Sequence, residues 1–241
     1  MKKLTILLIL LAIVLSMPLL AQKPSPMLLT PDNCVVLLID HQPQMGFSVK
    51  NIEVATLRNN LAGLSKATQL FKVPVVLTTV SEEFAGALWP EIKNVFPNNT
   101  IIERTTMNSW EDPRVVEAIR KTGRKKIVLA GLWTQVCGAF VALSALNEGY
   151  EVYFVTDASG DVSQEIHDNA IQRMLQAGTI PVNWLQVMLE WQRDWARKET
   201  YEGVNQIVMQ HTGNYGLGVI YARKILGSKA NEGKSSSRGN E

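Results

Sequence analysis

Cys34-Val-Val-Leu-Leu-Ile-Asp40 sets an unbroken apolar run directly before a carboxylate. A short run without polar alternation marks a strand covered on both faces, as in a parallel sheet. Downstream the period lengthens: Ile52, Ala55, Leu57, Leu61, Leu64, Ala67 and Leu70 recur at helical spacing. Val73-Pro-Val-Val-Leu-Thr-Thr79 is a second strand, with its proline near the start, where a missing donor is tolerated. Ile101 and Ile102 predict a short third strand, and Asp112-Pro113 opens a helix that runs to about Thr122 and stops at Gly123. Lys126-Ile-Val-Leu-Ala-Gly131 is the fourth strand, followed by a helix from about Gln135 to Asn147 that Gly149 ends. Glu151 to Thr156 is the fifth, a helix from about Ser163 to Gln176 follows, and a sixth strand is expected near Thr179 to Asn183. Strands alternating with helices imply right-handed crossovers, hence an α/β fold: a three-layer doubly wound sheet of about six parallel strands.

Upstream, Met1 to Ala21 begins with Lys2 and Lys3, continues through an apolar core from Ile6 to Leu15, and meets Ser16 and Pro18. This is the layout of a secretory signal, with the cut expected after Ala21. The run from Leu4 to Leu20 is 17 residues, interrupted by Thr5, Ser16 and Pro18, whereas a membrane span needs about 20 apolar residues. An exported, periplasmic protein with no membrane span in the mature chain is therefore expected. A single folded domain is assigned to 22–226, and 227–241, with one Ala and no larger apolar side chain, is expected to be a disordered tail.

The composition, 46% hydrophobic and 19% charged, excludes a disordered chain. Taking Lys2 and Lys3 from the 24 Lys plus Arg leaves 22 basic against 22 acidic residues. A neutral body without a basic stripe cannot displace counterions from phosphates, so nucleic acid is excluded as a partner.

In doubly wound sheets reactive groups gather beyond the carboxyl ends of the strands. Asp40 ends the first strand, Arg104 follows the third, and Cys137 lies in the first turn after the fourth. A cysteine at a helix N-terminus is a candidate nucleophile, because the positive end of the helix lowers the thiol pKa; a buried structural cysteine is the alternative. Cys34 stands six residues before Asp40, roughly 20 Å from the strand's carboxyl end. A disulfide needs Cα atoms within about 7 Å, so Cys34 is expected as a core thiol and Cys137 as a free one.

Val35 to Gln42, Val73 to Thr79, Ala130 to Cys137, Val155 to Gly160, and Arg173-Met174, in order, resemble the isochorismatase-like cysteine hydrolases. Asp194-Trp195 near the carboxyl terminus is similar to the YcaC-type branch of that family. The resemblance covers about residues 28 to 215. It implies a Rossmann-like, six-stranded parallel sheet and a catalytic triad of Asp40, Arg104 and Cys137. The middle member departs from the family's usual lysine, although the YcaC-type branch shares the arginine. A guanidinium stays protonated and cannot shuttle a proton. Arg104 is left to hold Asp40, to lower the thiol pKa, or to pair with an anionic substrate.

The resemblance also implies a non-proline cis peptide at Leu132–Trp133, an oxyanion hole from the NH groups of Trp133 and Cys137, no cofactor, a small-molecule amide or related C–N substrate, and a homo-oligomer. Nicotinamidases of this family add a metal, but His41, His167 and His211 form no His-x-His pair, and no metal is expected. His41 follows Asp40 and should point away from the thiol; His167 is read as a surface or helix-packing residue and His211 as solvated. Phe84, Trp89 and Trp133 are candidate substrate-binding walls, Glu82 and Glu83 an exposed loop pair, and Asp157 the cap of the next turn. Gly213, Gly216 and Gly218 are read as a turn-rich segment. Trp184, Met188, Trp191 and Trp195 recur at helical spacing and suit either a core or a subunit interface. Two rivals to the hydrolase stand: a catalytically silent oligomeric or ligand-binding relative, and a thiol redox protein, for which Cys34 is misplaced as a resolving cysteine.

Overall fold

In the computed structural model, which describes residues 24–236, the apolar run before Asp40 forms a strand buried along its whole length. Six strands are present among the described residues: β1 (Cys34–Ile39), β2 (Val75–Val80), β3 (Ile101–Arg104), β4 (Lys126–Gly131), β5 (Glu151–Val155) and β6 (Ile180–Val182). They pair in the order β3-β2-β1-β4-β5-β6, every pair parallel, with Leu38 opposite Leu77 on one side and Ala130 on the other. The chain steps outward from β1 to β3 and then returns to the other side of β1. The topological switch point thus lies between the carboxyl ends of β1 and β4, where such sheets leave a crevice.

The helices are α1 (Pro43–Phe47), α2 (Val54–Leu70), α3 (Glu82–Ala85), α4 (Pro90–Lys93), α5 (Pro113–Lys121), α6 (Ala139–Asn147), α7 (Gln164–Gln176), α8 (Trp184–Gln192), α9 (Lys198–His211) and α10 (Asn214–Ser236). Alternation along β1 divides the core in two. Val36 and Leu38 pack with α2, α8 and α9, while Val35, Leu37 and Ile39 pack with α5, α6 and Met174 of α7. Local sequence sets the helix starts: the Asp112, Ser163 and Asn183 side chains accept from the amides of Arg114, Ile166 and Gln186, each supplying an otherwise orphaned donor with a partner. Gly123 and Gly149 close α5 and α6 at φ of 69° and 77°, where a side chain would be strained.

Three expectations for the carboxyl-terminal third change. Trp184, Met188 and Trp191 are buried within the chain on α8, so the aromatic stripe is core; only Trp195, beyond the helix end, is exposed. The stripe needs a small neighbour: a Cβ on Gly63 of α2 would sit 2.6 Å from the Trp184 ring. Of the expected turn-rich segment, Gly213 does form a turn at φ 53° between α9 and α10, but Gly216 and Gly218 lie inside α10, where glycine at 216 lets the helix press onto the Val208 carbonyl, 2.6 Å from where a Cβ would stand. Third, α10 runs to Ser236 where a disordered tail was expected from Gly227. A helix already begun adds residues cheaply, since each new one brings its own hydrogen bond. Residues 1–21, read as a leader, and 237–241 lie outside the described residues. Among the described residues no helix is long and apolar enough to cross a membrane.

Candidate active site

Asp40 closes β1 with φ at 56°, a left-handed conformation that Asp tolerates better than bulkier residues. Its amide still donates to Thr78 in the ladder, and its carbonyl accepts from Gln42 at 2.8 Å. The chain therefore turns sharply at the switch point and leaves the carboxylate in the crevice. There Thr78 Oγ1 donates to Oδ1 at 3.1 Å, Arg104 Nη2 donates to Oδ2 at 2.5 Å, and Cys137 Sγ donates to the same Oδ2 at 3.3 Å. The three residues picked from strand ends meet on one carboxylate.

Both terminal nitrogens of Arg104 are engaged, since Nη1 donates to the Thr106 carbonyl, while its buried Nε has no hydrogen-bond partner. Its side chain is 1% exposed and that of Asp40 0%. Of its possible roles, the hydrogen bonds show the first: Arg104 holds the Asp40 carboxylate.

Cys137 stands in a five-residue π-helical turn, Thr134–Gly138, whose wide closure runs from the Gly138 amide to the Trp133 carbonyl. Such turns are uncommon and cluster at functional sites. The Leu132–Trp133 peptide ahead of it is cis. Sequence reasoning missed what fastens this turn. Asp161, fully buried, accepts from the Gln135 amide at 2.8 Å and its side-chain nitrogen at 3.0 Å, and the Thr134 amide donates to Gly160. The only local signal was its place directly after the Asp157 to Gly160 block. His167 bonds Thr134 Oγ1 at 2.8 Å and is buried, so it is a packing histidine supporting the turn.

The electrostatics revise the expected activation. Burial pushes the Cys137 thiol up, the Asp40 charge pushes it further, and Arg104 and the Trp133 amide only partly offset both. Burial also raises Asp40, against the lowering by Arg104. The shift is thus opposite in direction to the one expected of a helix N-terminus, with burial first and the Asp40 carboxylate second among its causes. The thiol stands in hydrogen-bond contact with the carboxylate that would take its proton.

Other predicted residues divide by sheet face. Trp133 sends its indole NH to the Met45 carbonyl and Ser48 Oγ at 3.1 and 2.9 Å, which fixes the ring beside α1. Phe84 is 76% exposed on α3. Trp89 is buried against Gly46 and His41, and both it and Trp133 pack in the cluster on the α2 side, whereas Cys137 belongs to the opposite cluster. Asp157 caps α8, accepting from Trp184 N at 2.9 Å, rather than the turn that follows it. His211 is not solvated: Asn59 and Lys66 bond its two ring nitrogens at 2.9 Å each, because α9 packs on α2. Cys34 and Cys137 are both free. Among the described residues no group of three or more His, Cys, Asp or Glu side chains is placed to hold a metal ion.

His41 points away from the thiol, its Nε2 2.9 Å from the Ala158 carbonyl, and burial lowers its pKa from 6.5 to about 4. A lowered folded pKa gives stability that is complete above the unfolded value and is lost as pH falls through the folded one. Urea unfolding should therefore lose on the order of 3 kcal/mol between pH 6.5 and about 4 from this residue. His41→Gln should make that fall shallower.

Fold and site together define a doubly wound α/β protein whose reactive side chains gather at the switch point. The isochorismatase domain model matches residues 34–186. The probable hydrolase YcaC of Escherichia coli is 37% identical over 186 residues, 76% of this chain and 88% of that protein. Its solved structure, described as an octameric hydrolase of unknown specificity, superposes with a TM-score of 0.79 at 35% identity over 85% of this chain and 100% of that one. YcaC from Pseudomonas aeruginosa, solved with hexane-2,5-diol and covalent acrylamide, gives 0.78 at 35% identity over 83% and 98%. The chain belongs to the isochorismatase family and is a hydrolase.

Proposed function

We propose that the protein is a cysteine-dependent hydrolase that cleaves a small-molecule amide or related C–N bond through a thioester. The observation that carries this is the Cys137 Sγ hydrogen bond to Asp40 Oδ2 at 3.3 Å, with Arg104 holding the same oxygen at 2.5 Å. As sulfur attacks the carbonyl carbon, its proton passes to Asp40, which is already in hydrogen-bond contact with it. The tetrahedral oxyanion is received by the NH groups of Trp133 and Cys137, a device in which one donor is worth about 3 kcal/mol. Collapse breaks the C–N bond, Asp40 returns the proton to the leaving nitrogen, and ammonia or an amine departs. Water, deprotonated by Asp40, then splits the thioester to the carboxylic acid and restores the thiol. Phe84, Trp89 and Trp133 contribute walls for the substrate.

Covalent acrylamide in the Pseudomonas relative accords with a nucleophile in this family, and the octameric relative supports a homo-oligomer here. The leader at 1–21 would deliver the protein to the periplasm. A panel of small carboxamides, followed by ammonia release and by intact mass after acid quench, tests the reading. Ammonia together with an acyl adduct on Cys137 is expected. Reversible binding without adduct or turnover would instead indicate a silent, ligand-binding relative.

A further inference from the structure

We infer that the site is built for uncharged substrates and discriminates against anionic ones, an inference that rests on the nucleophile reading above. Asp40 and Arg104 are both buried, and Cys137 is 8% exposed, so any net charge there is poorly solvated. At rest the thiol, carboxylate and guanidinium sum to zero. After attack on a neutral amide the oxyanion carries one negative charge, Asp40 is protonated, and Arg104 balances the oxyanion. After ammonia leaves, the thioester is neutral and the carboxylate again faces the guanidinium. The sum stays at zero throughout only when the substrate brings no charge of its own.

An anionic substrate would add an uncompensated negative charge at every stage. Arg104 already balances the Asp40 carboxylate through Nη2, with Nη1 on the Thr106 carbonyl; its buried Nε has no partner but brings no second positive charge. The surface at the carboxyl end of the sheet points the same way. Phe47, Phe84 and Met107, on the segments after β1, β2 and β3, are 87%, 76% and 69% exposed. The acidic side chains beside them, Glu83 and Glu103, are exposed. Lys50, beyond α1, is the exposed cation of this end closest in sequence to Phe47.

The test compares alkylation of Cys137 by iodoacetamide and by iodoacetate, reagents alike in size and differing in charge, with peptide mapping to identify the labelled cysteine. Glutathione under the same conditions supplies the intrinsic rate ratio. Cys137 should prefer iodoacetamide by about ten-fold or more beyond that ratio. The preference should survive about 0.5 M salt, since a buried charge imbalance is screened little. A ratio equal to that of glutathione, a preference for iodoacetate, or collapse of the preference in salt would overturn the inference while leaving the nucleophile standing. Failure of both reagents to label Cys137 in the folded protein would overturn the nucleophile, and this inference with it.

Discussion

Cys137→Ala should abolish amide hydrolysis and acyl-adduct formation, a loss of about 10⁴-fold or more in kcat, while barely moving stability. The sulfur is one of three donors on Asp40, and Thr78 and Arg104 remain in place when it goes. Removing one neutral hydrogen bond costs about 1 kcal/mol. The thiol's own proton complicates a serine replacement instructively. A hydroxyl is far less acidic than a thiol, so Cys137→Ser demands more of Asp40 and should retain at most a trace of activity. Steady-state ammonia release and acid-quenched mass spectra measure both effects, and chemical denaturation measures the stability. Unimpaired turnover by the alanine variant would remove the sulfur from the chemistry altogether.

Arg104→Met should be the most destabilising single change at the site, by about 3–5 kcal/mol at neutral pH, because it strands a buried carboxylate. Asp40 is already raised by burial with Arg104 opposing; without the guanidinium it rises further. A raised folded pKa contributes stability that is full below the unfolded value and is lost as pH rises through the folded one. The deficit should therefore shrink toward acid pH, where Asp40 protonates in both states, and urea melts across pH would display it. Arg104→Lys, which brings in the family's usual residue, should lose less stability. One ammonium replaces a planar fork that now reaches Asp40 and the Thr106 carbonyl together. Lysine can also deprotonate, so this variant should gain an alkaline limb in its pH–rate profile that the native arginine does not allow.

The legibility of the site follows from distance along the chain. Asp40, Arg104 and Cys137 were readable because each follows a strand, and in a doubly wound sheet strand ends share one edge whatever their separation in sequence. Asp161 and Thr78 were not, because a polar residue in a loop or a strand gives no local sign of a partner 26 or 38 residues away. Trp89 and Trp133 looked equivalent as pocket walls, and both pack on the α2 side; only tertiary structure buries Trp89 against Gly46 and ties the Trp133 indole to the Met45 carbonyl. The thiol's acidity was misjudged for the same reason. A helix N-terminus is visible in sequence, whereas the burial and the carboxylate that outweigh it belong to packing.

Hydrophobic periodicity and turn residues, which act over a few positions, were enough by themselves to determine the six strands, the four long helices that alternate with them, the parallel sheet and the edge where reactive groups collect. Tertiary structure decided the rest: that the Trp184 to Trp191 stripe is core, that glycine at 216 seats a helix crossing, and that Arg104 is spent on Asp40. Those outcomes depend on which surfaces are driven together and on the charges left without water once they meet, quantities that no short window of residues contains.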